Sequence, residues 1–311
     1  MVEPTVTVPG VWAVGAAGLL AVLALYAACL DGVLTGGGDG ARRGSAAIPL
    51  VEVARLMRQR RRTLVAADRL LWRIGGAGLI VVALLMVTVV PLGRWTLFDL
   101  DVGVAWFNAM DVMVWGLVWL AGWGANSAYA LVGGYRFLAH GLGYELLLMF
   151  AVVAPAVAAG SLRVGDVAAA QSGLWYAVWM PVAFVVYSLG VVAFSLWGPF
   201  APALGADIVG GVTAELSGVD RLVFLAGRYA LLAAGATFAV PVFLGGGAGP
   251  WLPGWLWVLA KTVALLTILV WLRRQIPAFR PEKFMEVAWV VLLPAVLVQD
   301  LIVAVIAVWR S

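Results

Sequence analysis

The stretch GWGANSAYALVGGYRFLAHGLGYE, residues 122–145, decides how this chain is read. It opens on Gly122-Trp123-Gly124, crosses a polar turn at Asn126-Ser127, and runs through Arg136 and the single histidine, His140. It then enters an apolar run that still carries a carboxylate, Glu145. A carboxyl group inside hydrocarbon is costly and marks proton or substrate paths. It can hold a proton and release it, as a relay needs; the alternative is a structural carboxylate paired with an arginine. Outward from this stretch, the chain reads as a scaffold that sets such charges beside one face of a membrane.

The surroundings are those of a membrane protein. Of the 311 residues, 64% are hydrophobic and 12% charged, with a mean hydropathy of +1.03. Apolar segments of about 20 residues, the length that crosses a bilayer core as a helix, recur along the chain. Their positions are 11–30, 75–92, 104–121, 143–162, 174–196, 222–244, 254–272 and 287–308. The first is too long and too weakly basic at its start for a cleaved signal peptide. The expected fold is therefore all-α: a single polytopic membrane domain over residues 1–311 with about eight transmembrane helices.

Basic residues set the orientation. The loop after the first span carries Arg42, Arg43, Arg55, Arg58, Arg60, Arg61, Arg62, Arg69 and Arg73; the loop after the seventh carries Arg273, Arg274, Arg280 and Lys283. The other side has Arg94, Arg163 and Arg310. The positive-inside rule makes the richer side cytoplasmic and puts both termini outside, in an inner (plasma) membrane. The net charge of +4 reports this topology, not a nucleic-acid surface. Cys29 is the only cysteine and His140 the only histidine. That inventory builds no iron–sulfur cluster, zinc site or haem pair, so no covalently bound cofactor is expected and any electrons arrive on another subunit.

Taken in order, the first span ends at Asp31 and is followed by a Gly-rich linker, 36–44. Pro49 opens a pattern running to about Ile74, with apolar positions alternating with arginines. It predicts a basic amphipathic helix on the cytoplasmic headgroups, or a docking surface for a soluble partner. Span three carries Asp111 about a third of the way in, a residue that snorkels, bonds within the bundle or serves a proton path. Glu145 is placed near the cytoplasmic start of span four. Between spans five and six, residues 197–220 form a structured loop with the acids Asp207, Glu215 and Asp220. Arg228, about one turn into span six, wants a carboxylate or an anionic ligand, and Asp207 and Glu215 are the expected counter-charges. Lys261 and Asp300 complete the intramembrane charges. Nucleophile elbows, HExxH pairs and GxGxxG after a strand are absent, which argues against a self-contained hydrolase or dehydrogenase.

Four stretches, in order, resemble the membrane-embedded H subunit of respiratory complex I, the NADH-quinone oxidoreductase subunit 1 family shared with membrane-bound hydrogenases. Pro49-Leu50-Val51-Glu52 with Arg55-Leu56 is similar to the family's amphipathic helix start. Gly122, Trp123, Asn126, Ser127, Tyr129, Gly133, Arg136, Tyr144 and Glu145 match its Gly-Trp…Tyr-Glu signature, and Glu215-Leu216-Ser217-Gly218 resembles Glu-Tyr-Ser-Gly. Trp271, Arg273, Pro277, Arg280, Glu282 and Met285 fall at the spacing of its last loop motif. The resemblance implies a component of a proton-coupled quinone oxidoreductase that joins an iron–sulfur peripheral arm to antiporter-like membrane subunits and shares a quinone substrate with them. It implies a proton path through Glu145, with Asp111, Asp207, Glu215 and Lys261 as further candidates. It also implies a quinone chamber and cytoplasmic loops formed with Pro49, Glu52, Arg55, Arg136, Arg228, Arg273, Arg280 and Glu282. The chain departs from the pattern at 41–47, which lacks Pro-Asn, at Leu147 in place of proline, and after Pro199-Phe200, where most acids are missing. Arg228 stands where the family commonly has glutamate. Three alternatives stay in view: the anchor of a membrane-bound hydrogenase or formate-oxidising complex, a stand-alone transporter using Glu145, Arg228 and Lys261, and a purely structural anchor without quinone turnover, for which the missing acids argue.

Overall fold

The computed structural model describes residues 5–35, 45–62, 64–276 and 281–310. The Gly-rich stretch 36–44 and the site candidate Arg280 lie outside the described residues. Helices α1 (Ala13–Leu34), α3 (Arg69–Val87), α4 (Gly103–Gly124) and α5 (Ala128–Ala159) form the first half of the bundle. Helices α9 (Gly218–Phe243) and α10 (Gly254–Gln275) follow, and α11 (Pro281–Val287) joins α12 (Leu293–Arg310) through one π-helical turn, Ala288–Leu292. Among the described residues, seven helices are long and apolar enough to cross a membrane, counting Glu282–Trp309 as one. Short helices α2 (Ile48–Arg58), α6 (Val164–Ala169), α7 (Tyr176–Trp179) and α8 (Pro181–Phe194) fill the connections. A two-residue parallel pair, β1 (Val6–Thr7) with β2 (Trp95–Thr96), ties the N-terminus to the α3–α4 loop.

The all-α polytopic expectation holds, and three segments differ from their sequence reading. The basic pattern 49–74 is not one helix. Helix α2 stops at Arg58, and α3 begins at Arg69 behind an Asp68 cap whose Oδ1 accepts from the Leu70 and Leu71 amides at 2.9 and 3.2 Å. Arg58, Arg61 and Arg62 would stack like charges one helical turn apart, which disfavours helix between these points. The segment bonds to the start of α9 instead: the Arg62 amide donates to Ser217 Oγ at 2.7 Å, and the Gln59 side-chain Oε1 accepts from Gly218 N at 3.2 Å.

Span four is longer than its apolar run. Helix α5 starts at Ala128, so Arg136 and His140 are helical residues, not loop residues. Its 32 residues make a rod of about 48 Å against a hydrocarbon core of about 30 Å. Glu145 therefore sits roughly 25 Å along α5, deep in the membrane instead of at its cytoplasmic start. Span five is broken. Met180 takes φ −120°, ψ 55° before Pro181, as the ring of a following proline disfavours helical backbone. Two helices of 4 and 14 residues replace the single expected span. The Val182 amide freed by the break donates to Gln299 Oε1 of α12 at 3.0 Å.

Helix α9 is the axis. Every residue from 230 to 243 is buried, as befits a helix apolar all round, and α1, α3, α8 and α10 pack about it. Close approach depends on glycine at a few contacts. A Cβ on Gly75 of α3 would lie 2.5 Å from Leu117 O and Ala121 N of α4, and one on Gly227 would lie 2.6 Å from Leu79 Cβ. Small residues let membrane helices approach at backbone distance, where packing supplies much of their attraction. Phe107 and Phe238 stack across the α4–α9 seam with ring centroids 3.8 Å apart.

Gly75→Leu should force α3 off α4, costing about 1–3 kcal/mol or more. Gly18→Leu, with nothing within 4 Å of the added Cβ, should leave stability unchanged. Thermal unfolding of the two variants in detergent checks this, and equal melting points would refute the packing account.

Candidate functional site

On the side of the basic loops, α1, α2, α3 and α9 enclose a cavity of about 500 Å³. Its walls are largely apolar, with Ala17, Ala21 and Ala24 of α1 opposite Leu222, Leu225 and Ala226 of α9. Small residues on α1 leave the space; a leucine at each of those alanines would fill it. Charge gathers at one end, where Asp31, Glu52, Arg228, Tyr229 and Arg273 line the cavity. Asp31 Oδ2 accepts from Arg273 Nη1 at 2.7 Å and from the Tyr229 hydroxyl at 3.3 Å. Glu52 accepts from Arg55 through Nε and Nη2 at 2.7 and 2.5 Å, and this guanidinium holds its carboxyl below the ordinary value. Pro49 occupies the first turn of α2 and also lines the wall.

A second polar site is buried between α4 and α5. Asp111 is fully buried, and both its carboxyl oxygens lack a donor from any N–H group. Its neighbour is the carboxyl of Glu145. Asn108, one turn from Asp111 on α4, donates through Nδ2 to Glu145 Oε1 at 2.8 Å. The two acids, far apart in sequence, are thus one site. Helix periodicity continues it toward the basic side. Tyr144 accepts from Trp115 Nε1 at 3.0 Å, and His140, one turn earlier on α5, has its ring centroid 5.4 Å from that of Tyr144. His140 is buried with both ring nitrogens unpartnered, among Phe137, Phe200 and Phe284. Phe200 belongs to the loop 195–217, so this column of polar groups reaches from the acid pair to the basic-side loop.

That loop is pinned to α5. Arg136 Nη1 meets Asp207 Oδ2 at 2.6 Å, and Ser127 Oγ donates to Glu215 Oε1 at 3.0 Å. Arg136 holds the exposed Asp207 carboxyl below its ordinary 3.8. Arg228 is therefore not the counter-charge of Asp207 or Glu215, as sequence reasoning expected. It donates through Nη2 to Leu196 O and faces Trp197 and Arg273. Lys261 is elsewhere again, on the side away from the basic loops. Its Nζ donates to Leu244 O, Gly246 O and Ala248 O at 2.7, 2.9 and 2.9 Å, closing the C-terminal end of α9. Glu282 is exposed in the first turn of α11.

The site candidates thus divide into a cavity end (Pro49, Glu52, Arg228, Arg273), a mid-membrane pair (Asp111, Glu145), a pinned loop (Arg136, Asp207, Glu215) and a remote cap (Lys261). Sequence reading missed Asn108, Tyr144, His140, Trp197 and Tyr229 as parts of these sites. The spacing of Asn108 and Asp111 was a usable signal, since residues three apart share a helix face. Asp31, a carboxylate at the end of an apolar span, was another.

Seven helices long and apolar enough to cross a membrane, with a largely apolar cavity on the basic side and a buried carboxyl pair between α4 and α5, define a polytopic membrane protein. A family model described as NADH dehydrogenase matches residues 40–304. An H subunit of NADH-quinone oxidoreductase from Geobacter metallireducens is 35% identical over 274 residues, covering 84% of this chain and 83% of that protein. The corresponding H subunit from Cereibacter sphaeroides is 38% identical over 70% of this chain and 69% of its own length, and that from Geobacillus kaustophilus is 32% identical over 78% and 75%. The chain belongs to the H-subunit family of NADH-quinone oxidoreductase, and is a membrane component of an oxidoreductase complex of the complex I type.

A depressed carboxyl pKa means that the Arg136–Asp207 pair contributes above the ordinary value of 3.8 and is lost as pH falls through the lowered one. Asp207→Asn should therefore reproduce at neutral pH what strong acid does to the wild type: faster proteolytic nicking within 195–217, with helix content unchanged. Identical nicking rates in wild type and variant at neutral pH would remove the pair from the account of the loop.

Proposed function

We propose that this chain is the quinone-site and anchor subunit of a complex I-like, proton-coupled oxidoreductase. It links a soluble arm carrying iron–sulfur centres to a proton-pumping arm of antiporter-like subunits. The observation that carries the reading is the cavity between α1, α2 and α9. A long-tailed quinone needs an apolar slot with a few polar groups at one end, and this cavity has both. Its charged end faces the basic side, which the positive-inside rule makes cytoplasmic, so both termini lie outside. A ring entering from the bilayer would move toward Tyr229, Arg228 and Arg273, with its tail left along the alanines of α1.

Reduction of a quinone to a quinol takes two electrons and two protons. The electrons come from the partner arm, and this chain's part is to position the ring and to respond with protons. Asp111 and Glu145 form the group on this chain best suited to respond, because a carboxyl pair in low dielectric changes its proton count when the nearby charge changes. Asn108 fixes the Glu145 orientation. Tyr144 and His140 supply exchangeable groups between the pair and the loop at the chamber.

Two variants in the intact complex test the halves of this reading. Ala226→Trp should fill the cavity and lower quinone reductase activity by at least about tenfold, equivalent to ~1.4 kcal/mol, while NADH oxidation by a soluble artificial acceptor continues. Full quinone reductase activity in an assembled Ala226→Trp complex would move the quinone elsewhere. Glu145→Gln keeps an acceptor for Asn108 but cannot exchange a proton. Protons moved per quinone reduced, measured in proteoliposomes, should fall by about half or more, and an unchanged ratio would take Glu145 out of the path.

A further inference from the structure

We infer that the polar end of the cavity selects an anionic headgroup, and that Arg228 is the residue that makes the selection. The inference rests on the quinone reading of the cavity and goes beyond it to the charge of the ligand. Among the described residues, four charged side chains line the cavity: Asp31, Glu52, Arg228 and Arg273. Both acids are engaged. Asp31 is held by Arg273 and Tyr229, and Glu52 by Nε and Nη2 of Arg55. Among the described residues, no carboxylate comes within 4.0 Å of Arg228. Its contacts are the Leu196 carbonyl, which accepts from Nη2, and the Trp197 ring, 5.8 Å from its guanidinium carbon. The Nε proton is buried with no acceptor.

The neighbourhood adds positive charge. Arg273 lies over the same indole at 4.4 Å, so two guanidiniums flank one ring, with Asp31 the carboxylate that interacts with Arg228 among the described residues. A carbonyl and a π-face offset only part of the cost of removing a guanidinium from water. A negatively charged oxygen supplies the rest, through a charge-assisted bond of the strong kind. The ligand that fits is a flat ring bearing an oxyanion, with the tail lying along the apolar wall. Among redox states of one quinone, this is the singly reduced form, Q + e⁻ → Q•⁻, its electron coming from the donor chain of the complex and its charge resting on the ring oxygen beside Arg228. Among quinones, it is one with an acidic ring hydroxyl.

The test compares two ligands with one tail: a long-chain 2-hydroxy-1,4-naphthoquinone, ionised at neutral pH, and its neutral 2-methoxy counterpart. Dissociation constants are measured on the purified intact complex in phosphatidylcholine nanodiscs. The wild type should prefer the hydroxyquinone by on the order of tenfold or more. Arg228→Gln should bring the ratio of the two affinities to about one, and Arg228→Lys, which keeps the charge, should retain most of the preference. A wild-type ratio near one with both ligands bound overturns the anion selection and leaves the quinone cavity standing. A preference that survives Arg228→Gln in a complex of wild-type melting temperature overturns the role of Arg228. If phosphatidylglycerol nanodiscs abolish the wild-type preference, the anion is a lipid phosphate and the inference fails. Failure of both ligands to bind brings down the quinone reading itself.

Discussion

Every backbone N–H and C=O inside the bilayer must find a partner within the protein, and this structure is organised around the places where helices fail to supply one. On the side away from the basic loops, three such places are closed by one polar side chain each. Gln171 donates to Val167 O, Pro241 O and Val242 O while its Oε1 accepts from Tyr176 N and Gly245 N. Lys261 takes three carbonyls beyond the end of α9. Gln299 receives the Val182 amide at the break in span five. That half of the molecule is consumed by its own architecture.

The basic side is different. There, Ser217, Gln59 and Ser127 anchor the connecting segments through one or two bonds each. Arginines and acids remain available to face a cavity or a partner. Helix α9 couples the two halves. Its outer portion is buried on all sides, while its first turns line the cavity through Leu222, Leu225, Ala226, Arg228 and Tyr229. Helix α9, which carries Arg228, packs against α3, and α3 packs against α4, which carries Asp111. The cavity and the acid pair do not touch; they share a scaffold.

The local departures in this chain have the same logic. Sparse acids in the loop 195–217 leave Asp207 and Glu215 with individual partners, Arg136 and Ser127, that hold the loop in place. Positive charge that an acidic loop would neutralise is instead concentrated at the cavity end, between Arg228, Arg273 and Trp197.

By itself the sequence determined the class: an all-α polytopic membrane protein with a basic face, no inventory for a redox centre, and motifs of the H-subunit family. Those follow from hydrocarbon thickness and residue supply, both local to the chain. It also picked out charged residues that the fold buries or sets at the cavity, such as Asp111, Arg228 and Lys261, because charge in an apolar run is conspicuous. Boundaries were less legible. The start of α5 at Ala128 was hidden by the polar residues of its first turns, and the break at Met180–Pro181 lay inside a continuous apolar run. Only the tertiary structure decided who meets whom. It joined Asp111 to Glu145, gave Arg273 rather than Arg228 to Asp31, and sent Lys261 to the end of α9. Pairing depends on the depth and rotation of whole helices, which are set by close contacts such as Gly75 on Leu117 and Ala121, and no single segment carries that information.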